Sequence, residues 1–413
     1  MKKQIVLKIM TVCIFFTMTY CSDNGTKSYE PNPILNLSVA DIKLTEADNK
    51  FGLKLFKELN KTEGLKNIFI SPLSISMALG MTYNGAAGET RSAMHNALEY
   101  GELSVQQVNE SYKYLSESLI DLDQRVTFNI ANSIWSRLDF PIKQEFIDLN
   151  QKYFDAEVQE LDFNRNDAAN IINSWVDDKT KGKIEEIVDN PIDPLTIMFL
   201  INAIYFKAKW TMEFNEDDSF NGQFYPTANS PIDCRMMRNT EKFKYFSNEK
   251  MQVIELPYGN EDFNMTIFLP NTDVNLDSLI MEIDNDKWNL WTNSLYSQEI
   301  QLTMPKFKLE YEKELREILS ALGMEKAFSA SEADFANINS SANLYISKVK
   351  HKTFIQVDEE GTEAAAATSV GINLTSMPST TVMNINHPFL FAIRENQTGT
   401  ILFLGKIIEP TFN

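Results

Sequence analysis

Residues 358–374, DEEGTEAAAATSVGINL, constrain the fold of this chain more than any other segment. Four consecutive alanines favour a helix, yet strand-like sequence lies on both sides of them. Counted in steps of two from Thr362, one set of side chains is uncharged and becomes more apolar toward Leu374, whereas the other set is small or polar. This alternation is typical of a strand with one buried face, while the small, glycine-containing composition is typical of an exposed loop. We therefore expect a loop that can convert into a strand, which is a conformational switch.

The charge balance excludes two classes of partner. Lys and Arg number 38 against 57 Asp and Glu, which gives a formal net charge of -19. Nucleic acids and anionic membrane surfaces require a basic footprint, so neither is expected as a partner. Hydrophobic residues make up 43% of the chain, which is enough for a large core. Only Cys13, Cys21 and Cys234 occur, so no disulfide framework is expected to support the fold.

Residues 1–21 have the layout of a secretory signal peptide. Lysines precede an apolar stretch over residues 9–20, which is too short for a membrane span. Cys21 follows directly, ahead of a polar segment, and this arrangement resembles a bacterial lipoprotein signal whose cysteine becomes the lipidated N-terminus. The alternative is ordinary signal-peptidase cleavage near the same place. We expect an exported protein: a cell-envelope lipoprotein of the outer membrane or surface, anchored in the membrane by Cys21, or a secreted or periplasmic form.

The remaining chain predicts a polar tether followed by one domain. Residues 22–40 are polar and contain two prolines, whereas no repeat or linker interrupts residues 41–413. Helical patterns begin at Thr45 and at Ser71-Pro72, where serine is the cap and proline lies in the first turn. Further helices are predicted over residues 89–100, 107–122, 167–179 and 312–322. Strands are predicted over residues 126–135, 195–207, 252–256, 263–269, 300–305, 344–357 and 401–408. Helices crowd the first half and strands the second, which indicates the α+β class.

The stretch LTIMFLINAIYF, residues 195–206, is apolar on both faces. This pattern predicts a strand inside a sheet that is covered on both sides. The alternative is a membrane helix, but the stretch is too short and carries Asn202 at its centre.

Several short motifs follow one another in a recognisable order. Among them are NIFISPLS at residues 67–74, NAIYFKAKW at 202–210, LPY at 256–258, MPKF at 304–307, the EEGTEAAAAT run at 359–368, HPFLF at 387–391 and FLGK at 403–406. Together they resemble the serpin family over nearly the whole mature chain. The resemblance implies an α+β fold in which helices pack around a large central mixed β-sheet and two smaller sheets. It also implies an exposed reactive loop, at about residues 359–383, that can insert into the central sheet.

In that family the reactive loop is bait for a serine protease, or alternatively a cysteine protease. Attack forms an acyl-enzyme, and the cut loop then inserts as an extra strand and distorts the protease. The resemblance thus implies a monomeric suicide-substrate inhibitor, with target proteases as partners and no enzymatic activity of its own. Every inward-facing loop residue must be buried without a desolvation cost, and Thr362, Ala364, Ala366 and Thr368 meet this demand. The alternative is a non-inhibitory binding or chaperone protein of the same fold.

The resemblance also assigns the residues of the loop. The hinge comprises Glu359, Glu360, Gly361, Thr362, Glu363, Ala364, Ala365, Ala366, Ala367 and Thr368. Counted from Glu359 as in many inhibitory members, the scissile bond is expected at Thr375-Ser376, with Leu374-Thr375 as the alternative. Residues 364–393 contain no Lys, Arg, Asp or Glu, so trypsin-like proteases are poor candidates. Elastase-like enzymes suit Thr375, and chymotrypsin- or subtilisin-like enzymes suit Leu374.

Six further positions match the regions that control loop entry in the family, the shutter and the breach. They are Ser71, Ser74, Asn202, Trp210, Lys306 and His351. His351 is expected to bond Asn202 on the neighbouring strand, and Lys306 is expected to pair with Glu359. Each of these has a plainer interpretation as an ordinary core or surface residue.

An enzyme is the less favoured interpretation. The chain has only His95, His351 and His387, and none lies in a recognised catalytic motif. A dyad of Ser71 and His351 is the sole nucleophile candidate, but Ser71 suits a helix cap better. Since no glycine-rich phosphate loop or metal-ligand spacing occurs, we expect no catalytic site, no metal and no cofactor.

Overall fold

The computed structural model describes residues 33–228, 230–363 and 380–412, which belong to one compact unit. Within these ranges, nine α-helices are α1 Val39–Glu63, α2 Pro72–Gly85, α3 Gly88–Ala97, α4 Val105–Leu119, α5 Gln144–Phe154, α6 Ala168–Lys179, α7 Leu276–Glu282, α8 Asn285–Asn293 and α9 Arg316–Leu319. None of the helices in the described ranges is long and apolar enough to cross a membrane.

The strands crowd the second half, as the sequence predicts. They are β1 Ile68–Ile70, β2 Val126–Arg137, β3 Glu157–Leu161, β4 Met198–Lys209, β5 Phe220–Thr227, β6 Ser230–Ser247, β7 Met251–Tyr258, β8 Phe263–Pro270, β9 Tyr296–Pro305, β10 Phe307–Glu314, β11 Lys350–Val357, β12 Gly361–Thr362, β13 Thr381–Asn384, β14 Phe389–Glu395 and β15 Ile401–Ile407. The predicted α+β class is confirmed.

The strands form two mixed sheets. A six-stranded sheet has the order β10-β11-β12-β4-β2-β3, and a nine-stranded sheet has the order β1-β15-β14-β8-β7-β6-β9-β13, with β5 paired to β6. The resemblance implied two smaller sheets beside the central one. In the structure these two are continuous, because the long strand β6 pairs with β7 through one end and with β9 through most of its length. The six-stranded sheet is the central one.

Helices cover both faces of the central sheet at β4. Asn202 donates to Met77 Sδ of α2, whereas Ile201 packs with Val176 of α6. The alternation along β4 therefore places α2 on one face and α6 on the other. This double cover explains why residues 195–206 are apolar at nearly every position.

Several predicted boundaries differ from the structure: the strand predicted from residue 344 begins only at Lys350, and two others have a clear physical reason. Helix α1 begins at Val39 rather than Thr45, because Ser38, inside the segment predicted to be a tether, forms a capping box with Asp41. The helix predicted from Glu312 begins only at Arg316, because residues 312–314 extend β10 and pair with residues 350–352 of β11. In both cases hydrogen bonds decide where the helix begins, and the hydrophobic periodicity of the sequence does not reveal these bonds.

Candidate functional site

A slot lies between β4 and β11 in the central sheet. On one side, β4 pairs with β2 from Ala208 to Met198, but on the other side only Ala208 and Lys209 have strand partners in the described part of the chain. Likewise β11 pairs with β10 along its whole length, and on its other side Val357 is the only residue with a strand partner among those described. Among the described residues, most of the facing edges of β4 and β11 thus have no strand partner, and such edges can accept an added strand.

A cavity of about 410 Å³ fills this slot. Its side walls are residues 195–204 of β4 and the segment before it, and residues 343–354 leading into β11. Its floor is α2, including Ile75 and Leu79, and its roof is the connection from α6 to β4, including Ile184 and Val188. The slot therefore has the shape that an extended segment, buried on both faces, requires.

The two-residue strand β12 closes one end of the slot. Thr362 lies opposite Ala208 of β4 and opposite Val357 of β11, so it wedges the two strands apart. Its side chain is buried, and its hydroxyl lies 2.6 Å from the Tyr258 hydroxyl. At Gly361 a Cβ atom would lie 2.1 Å from the carbonyl oxygen of Ala208, so only glycine permits this approach.

Trp210 holds the segment just before the wedge. Its indole N–H donates to the carbonyl oxygen of Asp358 at 2.9 Å, and its backbone N–H donates to that of Glu360 at 2.8 Å. The indole ring stacks on Tyr258, with centroids 4.4 Å apart. The residue matched to the breach is therefore in direct contact with the hinge.

Glu359 and Lys306 form the predicted pair, and the pair is buried. Lys306 Nζ lies 2.6 Å from Glu359 Oε2, and Ser219 Oγ donates to Oε1 at 2.6 Å. Burial alone would raise the pKa of Glu359, but the hydrogen bonds from Lys306 and Ser219 outweigh it and bring the pKa below its ordinary value. Since Glu359 is only 3% exposed, this carboxylate anchors the hinge in the protein interior rather than lying on the surface.

The other two hinge carboxylates also face lysines. Glu360 Oε2 lies 3.2 Å from Lys209 Nζ, and Glu363 Oε2 lies 3.8 Å from Lys183 Nζ. Burial raises the pKa of Glu363, and the charge of Lys183 offsets this only in part. Glu363 has a φ of 57°, in the left-handed region that costs an ordinary residue about 1–2 kcal/mol. The chain therefore leaves the strand conformation immediately after β12.

The expected bond between His351 and Asn202 is not made, because the slot separates their strands. His351 Nε2 instead accepts the backbone N–H of Ser71 at 3.0 Å. Asn202 Nδ2 donates to Asn132 Oδ1 of β2 at 2.8 Å, and the buried Asn202 Oδ1 has no hydrogen-bond partner within the described residues. Burial lowers the pKa of His351 to about 3, so its ring is neutral.

The geometry also argues against the Ser71 and His351 dyad. Ser71 Oγ donates to the carbonyl oxygen of Leu402 at 2.7 Å and accepts the N–H of Ser74 at 3.2 Å as the cap of α2. The hydroxyl is thus directed away from the imidazole that would have to activate it. Ser74 Oγ in turn donates to the carbonyl oxygen of Asn202 at 3.4 Å. Among the described residues, no group of three or more His, Cys, Asp or Glu side chains could hold a metal ion.

Several predicted positions lie outside the described residues: Cys21, Ala364, Ala365, Ala366, Ala367, Thr368, Leu374, Thr375 and Ser376. Sequence reasoning also missed partners of the hinge. Ser219 gave no signal because it is a lone serine after an acidic run, and Tyr258 was marked only as part of the LPY motif. Lys183 lies in the connection after α6, and its pairing with Glu363 depends on the tertiary fold.

Comparisons with known proteins agree with this arrangement. The family model described as Serpin (serine protease inhibitor) matches residues 46–410. Serpin B8 of Homo sapiens is 36% identical over 377 residues, which covers 89% of this chain and 99% of that protein. Leukocyte elastase inhibitor of Xenopus laevis is 34% identical, with the same coverage of both chains. The solved structure of the thermophilic serpin Tengpin in its native state is similar with a TM-score of 0.81 at 32% identity, covering 92% of this chain and 97% of that one.

Proposed function

Because this chain belongs to the serpin family, we propose that it is a suicide-substrate inhibitor of serine proteases whose cut loop enters the slot between β4 and β11. The observation that carries the proposal is β12. Gly361 already pairs with β4 and Thr362 with both strands, at the head of a slot whose remaining edges have no strand partner among the described residues. An inserting loop therefore extends an existing ladder, and each added residue gains hydrogen bonds without a new nucleation step.

The register of β12 supports the predicted reactive bond. Thr362 lies opposite Ala208 on β4 and opposite Val357 on β11. Because both pairings are antiparallel, each step forward along the loop is one step back along both strands. The same register, continued along the slot, would bring Thr375 opposite Leu195 and Leu344, which lie at or next to the ends of the side walls of the cavity. The slot length thus matches a loop that is cut after Thr375.

The same register supports the inward set of side chains. Thr362 faces the body of the protein, where it contacts Tyr258. In a continuous strand, Ala364, Ala366 and Thr368 would follow on that face, above α2. Their small, uncharged side chains can enter the apolar slot without a desolvation cost that would slow insertion.

The chemistry requires one bond exchange before insertion. The hydroxyl oxygen of the protease serine attacks the carbonyl carbon of Thr375, and an ester forms as the Thr375-Ser376 peptide bond breaks. The new amine of Ser376 takes up the proton that the serine lost. Insertion must then outrun the water that would hydrolyse the ester. An uncharged loop favours proteases with small or apolar specificity pockets, of which elastase, chymotrypsin and subtilisin are usable probes.

The decisive experiment compares Thr362→Arg with Ala365→Arg. An arginine at position 362 would place an unpaired charge in a site that is 2% exposed, at a cost of about 3–5 kcal/mol. Alternation predicts that Ala365 faces the other side of the strand, so the second variant controls for the added charge. With elastase or chymotrypsin, wild type and Ala365→Arg should form a complex that resists denaturing electrophoresis. Thr362→Arg should be cleaved and should release active protease. An undiminished complex from Thr362→Arg would contradict the proposal.

Two further measurements complete the proposal. Sequencing the new N-terminus that elastase cleavage creates should give Ser376, or Thr375 for the alternative bond. A non-inhibitory binding protein would instead show no covalent complex and an unchanged melting temperature after loop cleavage, because no extra strand would be gained.

We also propose that residues 1–21 direct export and that Cys21 becomes the lipidated N-terminus. The basic and apolar layout of the segment supports export, and the cysteine at its end supports lipidation. Mass spectrometry of the mature N-terminus tests this proposal. An unmodified Cys21, or a mature chain that starts beyond it, would contradict lipidation.

A further inference from the structure

The roof of the slot is held rigidly to α6 by one side chain. Asn173 of α6 accepts the backbone N–H groups of Ile187 and Val188 through Oδ1, at 2.9 and 2.8 Å. Its Nδ2 donates to the carbonyl oxygen of Val188 at 2.9 Å. The next residue is Asp189, so its position is set by α6 and by the connection that continues into β4.

Asp189 reaches across the slot to the opposite wall. Its carboxylate oxygens lie 2.5 Å from Lys348 Nζ and 2.9 Å from Lys350 Nζ. Both lysines belong to the segment of β11 and the residues leading into it. The hydrogen bonds from the two lysines hold the pKa of Asp189 well below its ordinary value, so the carboxylate is charged at neutral pH. One charged side chain therefore links the roof of the slot, held on α6, to the β11 side of the sheet.

This link coexists with an open slot. Since β12 lies between β4 and β11, the two strands are about two strand spacings apart at that end, or about 9.6 Å. Closing the sheet would bring β11 toward β4 by about 4.8 Å and would shift its lysines relative to the roof. A carboxylate that contacts both lysines at the open width therefore favours the open state over the closed one.

We infer that Asp189 is a positioning residue for loop insertion: its ion pairs with Lys348 and Lys350 hold the slot open and so speed the entry of the cut loop. The inference rests on the proposed inhibitory function. The side chains are partly exposed, so their contribution is that of a surface network, and we expect the insertion rate to fall about two- to fivefold without it.

The test compares two variants, each of which replaces one of the carboxylates that pair with Lys350 by a neutral carboxamide. Asp189→Asn breaks the link across the slot, whereas Glu312→Gln removes a partner on β10, 2.9 Å from Lys350 Nζ but on the same side of the slot. The number of inhibitor molecules consumed per protease inactivated, minus one, equals the ratio of ester hydrolysis to insertion. This quantity should rise about two- to fivefold in Asp189→Asn and stay unchanged in Glu312→Gln. Asp189→Lys should raise it further, and adding Lys348→Asp should restore it.

A second measurement does not depend on any protease. Hydrogen exchange of the uncleaved protein should show greater protection of backbone amides along β4 and β11 in Asp189→Asn, because the slot closes more often. If Asp189→Asn and wild type consume equal numbers of inhibitor molecules per protease and show equal hydrogen exchange along β4 and β11, the inference is overturned while the inhibitory function stays intact. A smaller number of inhibitor molecules consumed per protease inactivated in Asp189→Asn would also overturn the inference. If wild type forms no covalent complex, the inhibitory function fails, and the exchange experiment still decides whether Asp189 holds the slot open.

Discussion

Replacing Asp48 by asparagine should stabilise the folded protein at pH 8 and leave its stability at pH 4 nearly unchanged. Asp48 lies on α1 and is 2% exposed. The Tyr112 hydroxyl donates to its Oδ1 at 2.7 Å, whereas the buried Oδ2 has no hydrogen-bond partner among the residues described. Burial raises the pKa of Asp48 to about 7, because the hydroxyls of Tyr112 and Ser76 offset only part of the desolvation.

The magnitude follows from the difference between the folded and unfolded pKa. The folded protein keeps the Asp48 proton up to about pH 7, whereas the unfolded chain releases it near the ordinary value of 3.8. The stabilisation is therefore complete below pH 3.8 and is lost as the pH rises through 7. A difference of about three pKa units corresponds to about 4 kcal/mol. Asparagine is neutral at every pH, so the variant should gain this amount relative to wild type between pH 4 and pH 8.

The contribution of His351 to stability changes with pH in the opposite direction to that of Asp48. Burial lowers the pKa of His351 from 6.5 to about 3, so its contribution is present above pH 6.5 and is lost as the pH falls toward 3. On acidification, wild type therefore gains stability from Asp48 while it loses stability from His351. We expect a shallow pH profile for wild type and a steep acid loss for Asp48→Asn.

The assay is chemical unfolding of the uncleaved protein at pH 4, 6 and 8, with the variant and wild type compared at each pH. Unfolding rates replace midpoints wherever the transition is irreversible. Glu46→Gln, which removes an exposed carboxylate from the same helix, controls for the change in net charge. If Asp48→Asn shifts the free energy of unfolding equally at pH 4 and pH 8, the folded protein does not hold a proton on Asp48 and the reasoning is refuted.

Two further substitutions test the hinge. Gly361→Ala should prevent β12 from forming, because the new Cβ would lie 2.1 Å from the Ala208 carbonyl oxygen, and we expect cleavage without a covalent complex; a normal yield of complex would show that insertion does not need this approach. Lys306→Gln should lower the melting temperature by leaving the buried Glu359 carboxylate without its cation, at about 3–5 kcal/mol, and Glu359→Gln in the same chain should recover part of the loss. If the double variant melts no higher than Lys306→Gln, the pair is not what stabilises the hinge.

The parts of the site that depend on local pattern could be predicted from the sequence. The period of two that starts at Thr362 predicted a strand, and the structure shows Thr362 buried between two strands. Ser71-Pro72 predicted the start of α2, which the structure confirms. The start of helix α1 was predicted six residues too late, because its capping serine, Ser38, lies in a segment whose overall polarity suggested a tether.

The parts that depend on the state of the sheet could not be predicted. His351 accepts from Ser71 here because the slot separates β11 from β4, and a one-dimensional pattern carries no record of that separation. Asp189 contacts lysines that lie 159 and 161 residues further along the chain, so only the fold brings them together. Long-range ionic contacts of this kind depend on tertiary geometry, whereas strand alternation does not.

The pairing of β13 with β9 determines what becomes of the protein after a cut. β13 begins at Thr381 and is joined to β9, and the chain then continues into β14, which lies between β8 and β15 in the buried core. A break near Thr375 leaves β13, β14 and β15 where they are, so the short carboxyl-terminal piece stays in place as part of the nine-stranded sheet. The cleaved protein therefore consists of two chains that stay associated, so its mass under native conditions does not fall. A trapped protease would be linked by its ester to the longer chain, and only denaturation would free the shorter one.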